Sequence, residues 1–381
     1  MIDHRLKIGL VSAFDFAVPG GVNSHIEELA TQFEGWGYPV KIMAPCSDPE
    51  QITHKNFIPM GRPVPLPSNG SIARVSLSVW LKPRIKSVMD KENFDIVHLH
   101  NPFSGMVPAY AATESNAVNI ATFHMFGARS ILRIGGTKLA MPYFRKLHGL
   151  IAVSEPARDY ITRYFPGDYK VIPNGIRVED YNSRVEPFAH LRDGMINLLW
   201  VGRLEKRKGL KYLLAAFSKL KWEWPNLRLL VVGPGKPDED SYRIMSERNL
   251  QDVVFVGAVS NDEKIRYYKT ADLFCSPATG KESFGIVLVE AMAAGTPVVA
   301  TANPGYASVI THGRDGLLVP PKDSHALADA IGALLKDKNL RRSLARNGLH
   351  RVQDFQWERV ARQVMDFYEA CIEQKTAHPL R

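Results

Sequence analysis

Short apolar segments recur along the chain in two successive series, and helical patterns separate them. The first series is KIGLVSAF, YPVKIMAP, FDIVHLHNP, VNIATFH and GLIAVS, and the second is INLLWVGRL, LRLLVVGPG, VVFVGAV, ADLFCSP, TPVVATA and GLLVPP. Their apolar residues are continuous rather than alternating, which is typical of parallel strands covered by helices on both faces. The sequence therefore predicts an α/β protein with two doubly wound, Rossmann-like parallel-sheet domains that face one another across a cleft.

The length of 381 residues also favours two domains, because one α/β domain is usually shorter. Polar and charged residues dominate between VIPNGI and INLLWVG, so the boundary should lie near 176–195. We predict domains at 1–176 and 177–356. The amphipathic helix of 357–381 has no strand after it, and we expect it to pack back on the first domain.

The net charge of +9 and the pI near 9.3 suit an anionic partner, which could be a nucleotide, a phospholipid surface or a nucleic acid. The chain has no recognisable nucleic-acid motif, so we expect no nucleic-acid partner. Cys46, Cys275 and Cys371 lie far apart, which predicts reduced thiols in a reducing compartment. An uninterrupted apolar run of about 18 residues is missing. We expect a cytoplasmic protein, with a peripheral position on the inner face of the cell membrane left open.

Two adjacent glycines, Gly20 and Gly21, follow the first predicted strand in PGGVNSH, residues 19–25. They suit either a tight turn or a loop in which a ligand touches the backbone. The segment lacks the G-x-G-x-x-G spacing, which argues against dinucleotide oxidoreduction.

A second candidate site is PATGKESFGIVLVEAMAAGTPVV, residues 277–299, where a polar loop runs into a predicted helix. Phe284, Gly285 and Ile286 would present backbone N–H groups to an anion at the helix N-terminus. Gly295 would end the helix. Glu290 lies among apolar residues, where a carboxylate needs donors, either sugar hydroxyls or a salt bridge in the core. Glu282 would face the same pocket.

The third candidate is VGRLEKRKGL, residues 201–210, in which Arg203, Lys206, Arg207 and Lys208 follow the end of a strand. Cations at this position suit a diphosphate, because Arg binds it as a fork and Lys as a point charge. A solvated basic turn is the alternative.

Histidines end two of the predicted strands: His98 and His100 in HLHNP, and His124 in ATFH. A lone histidine at a strand end is usually structural. Because no carboxylate or cysteine lies at ligand spacing, we expect no metal site here.

Together these segments resemble the retaining glycosyltransferases of the GT-B architecture, the large family that includes glycogen and sucrose synthases. The resemblance rests on PGGV, HLHNP, VIPNGI, GRLEKRKG and the E-x7-E pattern from Glu282 to Glu290, and it covers nearly the whole chain. A closer likeness is to the phosphatidylinositol mannosyltransferases of actinobacteria, through VPGGVNSHIEELA, VPLPSNGSIARVSLS, ATFH and ESFGIVLVEAMAAGTPVVA.

This resemblance implies a role for individual residues. For the donor, it implies backbone contact of Gly20 and Gly21 with the diphosphate, Arg203 and Lys208 holding that diphosphate, Glu282 on the sugar hydroxyls, Glu290 on the ribose, and Val259 and Lys264 at the nucleobase. For the acceptor, it implies Asn69, Ser71 and Arg74 at an inositol phosphate headgroup and His124 as the active-site histidine. Met125 and Arg129 replace a hydroxyl residue and a lysine near the acceptor, so Arg129 is a further acceptor candidate.

The implied activity is transfer of a hexose, with mannose favoured, from a nucleotide diphosphate sugar, with GDP-mannose favoured, to a membrane lipid such as phosphatidylinositol. The first domain would bind the acceptor and the second the donor. No resident cofactor is required, although Mg²⁺ could accompany the diphosphate. Three alternatives stay open: another lipid or a soluble polyol as acceptor with a UDP-sugar donor, a nucleotide-sugar epimerase, and a non-catalytic module that binds sugar nucleotides.

Membrane contact is expected from SVWLKPRIKSVMDK, residues 78–91, in which apolar residues alternate with cations. The apolar residues are Trp80, Leu81, Ile85 and Val88, and the cations are Lys82, Arg84 and Lys86. Such a segment can lie on an anionic bilayer. It can equally be a helix whose apolar face packs on the sheet.

Overall fold

The computed structural model describes residues 5–68, 71–124, 136–182 and 185–377, and it divides the chain into two compact units. Unit 1 comprises residues 1–175 and 357–381, and unit 2 comprises residues 176–356. Each unit is built around its own parallel sheet.

Unit 1 contains nine strands and five helices before residue 176, in the part of it that the structure describes. The strands are β1 (Ile8–Ser12), β2 (Val40–Ala44), β3 (Phe57–Pro59), β4 (Val64–Ser68), β5 (Ser71–Val75), β6 (Ile96–His100), β7 (Val118–Phe123), β8 (Gly149–Ala152) and β9 (Tyr169–Val171). The helices are α1 (Gly21–Gly35), α2 (Lys82–Glu92), α3 (Met106–Glu114), α4 (Gly136–Phe144) and α5 (Glu155–Thr162). Short 3-10 turns occupy Pro49–Gln51 and Val79–Leu81.

The sheet of unit 1 has the strand order β3-β2-β1-β6-β7-β8-β9 and is parallel throughout, while β4 and β5 form a separate antiparallel hairpin. Successive residues of β6 pack on opposite faces. Ile96 belongs to the core beneath α1, whereas Val97 and Leu99 pack with the buried residues of α2. Helices cover both faces, which is why these strands read as continuous apolar runs.

Unit 2 contains six strands and eight helices in the residues that the structure describes. The strands are β10 (Ile196–Val201), β11 (Leu227–Val232), β12 (Val253–Gly257), β13 (Leu273–Ser276), β14 (Val298–Thr301) and β15 (Leu317–Val319). The helices are α6 (Val178–Asn182), α7 (Leu210–Glu223), α8 (Glu239–Glu247), α9 (Asn261–Thr270), α10 (Ile286–Ala293), α11 (Pro304–Ala307), α12 (Ser324–Lys336) and α13 (Lys338–Arg351). Short 3-10 turns occupy Ala189–Leu191, Lys206–Lys208 and Val352–Phe355.

The sheet of unit 2 is also parallel, with the order β12-β11-β10-β13-β14-β15. In its central strand, β10, Leu198 and Trp200 pack beneath α7 and α12, while Leu199 and Val201 pack beneath α9 and α10. β10 is thus buried on both faces, and side chains are exposed to ligands mainly in the loops at the ends of the strands.

The last helix, α14 (Trp357–Ala377), packs within unit 1. Val360, Val364, Tyr368 and Cys371 recur at helical spacing and join the core that contains α1. Residues from the end of the chain therefore complete the core of the unit that the first residues begin.

The predicted fold class, two doubly wound parallel-sheet domains, is confirmed, and each predicted apolar segment contains a strand. The short strands β3 and β9 and the hairpin β4–β5 were missed. All three cysteines are buried and free. Among the described helices, none combines the length and the apolar character that crossing a bilayer requires.

Candidate active site

Two loops of unit 2 meet because they follow neighbouring strands, β10 and β13, whose carboxyl ends share one edge of the sheet. The backbone N–H of Thr279 donates to the carbonyl of Arg207 at 2.8 Å. Gly209, with φ 74°, allows the approach: a Cβ there would lie 2.0 Å from the carbonyl oxygen of Pro277. The fold therefore brings the basic loop of residues 202–209 against the loop that carries Glu282.

The two loops are joined by ion pairs among five side chains, which we call the basic cluster. Its members are Arg203, Glu205, Arg207, Lys208 and Glu282. Glu282 accepts a hydrogen bond from Arg207 Nη1 at 2.6 Å and forms an ion pair with Lys208 Nζ at 2.8 Å. Glu205 pairs with Arg207 Nε at 2.8 Å and with Arg203 Nε at 3.2 Å.

Burial and charge in the basic cluster suit an anionic ligand. The Glu282 side chain is only 12% exposed, whereas that of Arg203 is 54% exposed. Three cations face two carboxylates, which leaves one positive charge. The sequence marked Arg203, Arg207 and Lys208 as candidate cations and Glu282 as a pocket residue. It did not predict the contact of Arg207 with Glu282, and it assigned no role to Glu205, which pairs with Arg203 and Arg207.

Helix α10 begins directly after the basic cluster. Gly285 is its N-cap with φ 114°, and a Cβ there would lie 2.6 Å from the Tyr306 ring, so the position requires glycine. Phe284 is buried in the core, and Ile286 is the first helical residue. Gly295, with φ 73°, follows the end of the helix as predicted. The N-terminal end of the α10 dipole is thus next to Glu282 in the chain.

Glu290, near the middle of α10, is buried and accepts two hydrogen bonds. One comes from Lys264 Nζ at 2.7 Å and one from the Tyr268 hydroxyl at 2.9 Å. Burial, followed by the Glu290 charge, raises the pKa of Tyr268 well above its usual range, so the hydroxyl donates. The same two causes act on Tyr181. Val259 is half-buried and packs on this core.

Two of the three residues predicted at the nucleoside, Lys264 and Glu290, therefore contact each other. The sequence offered either sugar hydroxyls or a core salt bridge as the partner of Glu290, and the structure contains the salt bridge. The two tyrosines were missed because they lie far from Glu290 in the chain and carry no motif.

In unit 1, Gly20 is the N-cap of α1 in an extended conformation, and Gly21 is the first helical residue. A Cβ on Gly20 would meet only the carbonyl oxygen of Val18, at 4.0 Å, and one on Gly21 would meet nothing within 4 Å. Neither the backbone conformation nor the packing of the described residues demands glycine at these two positions. The tight-turn interpretation of PGGVNSH is therefore not supported.

Four histidines, His25, His98, His100 and His124, come together at the carboxyl ends of β6 and β7 and on α1; we call them the histidine cluster. His100 Nδ1 lies 3.1 Å from His124 Nε2, and the His25 ring packs edge-on against both rings. His98 bonds the hydroxyls of Tyr368 and Thr122, each at 2.6 Å. His25, although it belongs to the quoted PGGVNSH, was not predicted as part of a site.

Burial keeps the histidine cluster neutral. It lowers the pKa of His25 to about 4 and that of His98 to about 3, and it lowers the pKa values of His100 and His124 well below the ordinary 6.5. Neighbouring histidines add to this effect for all except His25, while the Asn174 side chain opposes it for His25 and His124. At neutral pH the cluster carries no charge.

One nitrogen from each of His25, His100 and His124 lies within 4.8 Å of the others, a grouping that can hold a metal ion. However, the ring centroids of His100 and His124 are 5.4 Å apart, whereas His100 Nδ1 and His124 Nε2 are 3.1 Å apart. The difference equals the sum of the two distances from a ring centroid to its nitrogen, so both nitrogens lie on the line that joins the two rings. The nitrogens thus point at each other, whereas ligands of one ion point at the ion. This pair has the geometry of a hydrogen bond, and the expectation of no metal stays a prediction.

The predicted acceptor residues are only partly described. Asn69 and Arg129 lie outside the described residues, as does Met125. Ser71 begins β5, and Arg74 is exposed on the same strand, where its carbonyl oxygen accepts the backbone N–H of Asp15 at 2.8 Å.

The segment expected to touch a membrane divides in two. Leu81 and Ile85 are buried in unit 1 and Val88 packs beside them, so the apolar face of α2 packs on the core. Before the helix, Trp80 is 86% exposed and Val79 61% exposed.

Two protein-family models match the chain. Residues 19–180 match glycosyltransferase family 4, and residues 185–351 match glycosyl transferases group 1. The phosphatidyl-myo-inositol mannosyltransferase of Mycobacterium leprae is 36% identical over 365 residues, which cover 96% of each chain. The protein of the same name from Mycobacterium tuberculosis is 36% identical over 369 residues, covering 96% of this chain and 97% of its own. The chain belongs to the GT-B glycosyltransferases.

Solved structures agree with this assignment. The glycosyltransferase superposes on sucrose-phosphate synthase from Thermosynechococcus elongatus with a TM-score of 0.77 and 25% identity, covering 97% of this chain and 100% of that one. Anabaena HepE, solved with UDP and glucose, gives a TM-score of 0.77 at 20% identity, covering 96% and 100%. HepE is similar in fold alone. The predicted family and the predicted enzyme class, a glycosyltransferase, are confirmed.

Proposed function

We propose that this glycosyltransferase moves a hexose from a nucleotide diphosphate sugar to a membrane lipid such as phosphatidylinositol and retains the anomeric configuration. The names of the mycobacterial relatives support mannose as the sugar and phosphatidylinositol as the acceptor. With them we favour GDP-mannose as the donor. A UDP-sugar is the alternative, supported by the HepE structure with UDP-glucose.

The observation that carries the proposal is the basic cluster beside the N-terminus of α10. We assign Arg203 and Lys208 to the donor diphosphate and Glu282 to the sugar hydroxyls. As the glycosidic bond lengthens, negative charge grows on the diphosphate, so these cations and the N–H groups of residues 284–286 bind the transition state more strongly than the ground state. Lys208 is already held at 2.8 Å from Glu282, which places the cation before any substrate arrives.

For the rest of the donor we assign Glu290 to the ribose and Val259 and Lys264 to the nucleobase. Lys264 and the Tyr268 hydroxyl each contact one carboxylate oxygen of Glu290, and each oxygen can accept a further hydrogen bond from a hydroxyl. Mg²⁺ would accompany the diphosphate rather than occupy a protein site. Turnover that survives EDTA would agree with this assignment, and turnover abolished by EDTA and restored by Mg²⁺ would assign the ion a required role.

The first experiment incubates the protein with a panel of GDP- and UDP-sugars and with phosphatidylinositol vesicles, and determines the anomeric configuration of the product by NMR. We expect an α-mannoside from GDP-mannose. Lys208→Ala should lower turnover by about a hundredfold or more while the fold is kept, and Lys338→Ala, an exposed lysine of α13, serves as the matched control.

The alternatives predict different products. Transfer to diacylglycerol or to a soluble polyol, but not to phosphatidylinositol, would identify a different acceptor. Conversion of the donor to an epimer without any acceptor would indicate an epimerase. Tight binding of sugar nucleotides without turnover would indicate a non-catalytic module. Near-normal transfer by Lys208→Ala would show that Lys208 does not belong to the active site.

The second experiment uses the glycines of α1. We assign Gly20 and Gly21 to backbone contact with the donor diphosphate, because the described structure gives no other reason for the missing side chains. Gly21→Ala should leave stability within about 0.5 kcal/mol of the parent and raise the KM for the donor. Gly35→Ala is the matched control, since Gly35 lies in the same helix and a Cβ there also meets nothing within 4 Å. Equal donor KM values for the two variants would contradict the assignment.

We also propose that unit 1 contacts the bilayer through the exposed segment that contains Leu77, Val79 and Trp80. The exposed cations of α2 that follow suit anionic lipid. Trp80→Ala should weaken co-sedimentation with phosphatidylglycerol vesicles about tenfold, because an aromatic side chain no longer inserts. Trp222→Ala is the control, an equally exposed tryptophan of α7 in unit 2. Equal vesicle binding by the two variants would contradict this surface.

A further inference from the structure

His100 lies between two other members of the histidine cluster and is itself fully buried. Its ring packs against that of His98 with centroids 4.2 Å apart, and its Nδ1 faces His124 Nε2 at 3.1 Å. His98 is in turn fixed by the hydroxyls of Thr122 and Tyr368. The position of the His100 ring is therefore set by β6, β7 and α14 rather than by a ligand.

His124 is held at a second point by its backbone. Its N–H donates to Asn101 Oδ1 at 2.9 Å, and Asn101 N–H donates to the carbonyl of Thr122 at 2.9 Å. Asn101 adopts φ 54°, a conformation that asparagine tolerates better than most residues. The side-chain nitrogen Nε2 of His124 is thus directed to His100 and cannot also contact a substrate.

Between two neutral imidazoles, one nitrogen of this pair must donate and the other must accept. The direction follows from His100 Nε2, which is buried and has no hydrogen-bond partner among the described residues. If His100 Nδ1 accepted, its proton would be on Nε2 as a buried N–H without an acceptor. If His100 Nδ1 donates, Nε2 is only an unfilled acceptor, which buried protein groups tolerate better.

We propose that His100 is a positioning residue whose Nδ1–H donates to His124 Nε2 and so fixes the proton of His124 on Nδ1. Both nitrogens of His124 are then committed: Nε2 accepts from His100, and Nδ1 bears a hydrogen. His124 can donate a hydrogen bond to a substrate oxygen, but it has no lone pair with which to take the proton of an acceptor hydroxyl. This deepens the proposed function, on which the role of His124 rests, and it makes His124 an orienting donor rather than a general base.

The tautomer is measured on the intact protein labelled with ¹⁵N-histidine, in two-bond ¹H–¹⁵N correlation spectra, with the His124 signals assigned by their loss in His124→Gln. Two histidines provide internal references. His148 Nδ1 accepts the backbone N–H of Asn119 at 3.0 Å, and His312 Nδ1 accepts that of Leu318 at 2.9 Å, so both must carry the proton on Nε2. We expect His124 to show the opposite pattern, with the proton on Nδ1.

The variant His100→Phe keeps an aromatic ring without the donor, and His100→Asn restores an N–H near the position of Nδ1. His124 should become a mixture of tautomers in His100→Phe and return to the Nδ1–H form in His100→Asn. Transfer should fall about tenfold in His100→Phe and recover in part in His100→Asn, while the exposed control His350→Gln matches the parent.

His124 with its proton on Nε2 in the parent protein would overturn the proposal, and so would an unchanged tautomer in a folded His100→Phe. The parent spectrum decides the question even if that variant does not fold. Because the spectrum needs no turnover, a failure of the proposed transferase activity is distinguished from a failure of this inference.

Discussion

His25 offers a test of how burial controls charge in unit 1. The residue is 6% exposed, and its ring packs against those of His100, His124 and Trp357. Burial lowers the pKa of His25 from 6.5 to about 4. Between about pH 6.5 and pH 4, His25 is therefore protonated in the unfolded chain and neutral in the folded chain. The free energy of unfolding must fall as the pH drops through this window.

The size of the effect follows from the shift. One pKa unit corresponds to about 1.4 kcal/mol. Between pH 7.5 and pH 5, a histidine whose pKa changes from 6.5 to about 4 on folding removes about 2 kcal/mol from the free energy of unfolding. This is about a 30-fold change in the population of the open state. His25→Gln cannot titrate, so its stability should depend less on pH by this amount.

Hydrogen exchange followed by mass spectrometry measures the two units separately. The protection of the backbone amides of β6 and β7 against exchange is corrected for the intrinsic pH dependence of exchange. When the pH is lowered from 7.5 to 5, this protection should fall further in the parent than in His25→Gln. Strands β10 and β11 of unit 2 are the internal reference, and His350→Gln, which replaces an exposed histidine, is the control variant. If the parent and His25→Gln lose the same protection over this interval, burial does not keep His25 neutral and the reasoning is wrong.

Three further changes test the packing and charge of unit 2. Tyr268→Phe removes one of the two donors to Glu290, the other being Lys264, and should lower the free energy of unfolding by about 1–2 kcal/mol in a urea titration; an unchanged midpoint would show that the hydroxyl is dispensable. Gly305→Ala places a Cβ 2.1 Å from the carbonyl oxygen of Glu282, so it should displace that loop and lower both the melting temperature and the donor affinity, whereas a parent-like variant would refute the contact. Glu282→Gln removes the charge that pairs with Lys208, so calorimetry should show tighter binding of GDP alone while transfer falls; weaker GDP binding would mean that the carboxylate does not compete for these cations.

Much of the fold could be predicted because parallel strands covered on both faces leave an unbroken apolar pattern. The strands that were missed lack it. β3 and β9 have three residues each, and β4 carries two prolines in VPLPS. Proline at alternate positions is compatible with an isolated hairpin, but it argues against a strand inside a sheet. These elements are specified by contacts with the rest of the unit rather than by their own pattern.

The candidate site could be predicted where one loop carries several informative residues in sequence. Arg203, Lys208 and Glu282 were found in this way, through the basic loop and the E-x7-E spacing. The contact between Arg207 and Glu282 was missed because it joins two residues that lie 75 positions apart in the chain. A basic residue among other basic residues gives no signal that it bridges to a distant carboxylate.

The two units handle buried ionisable groups in opposite ways, and the proposed reaction needs both. In unit 2, charge is kept and paired, because a growing negative charge on a diphosphate requires cations that are already in place. In unit 1, burial removes charge from the imidazoles. A protonated histidine would repel the positive charge that develops on the sugar ring, whereas a neutral imidazole with its N–H fixed by a neighbour can orient an oxygen without that penalty. The lowered pKa of His124 therefore agrees with the proposal that this residue orients a substrate during the transfer.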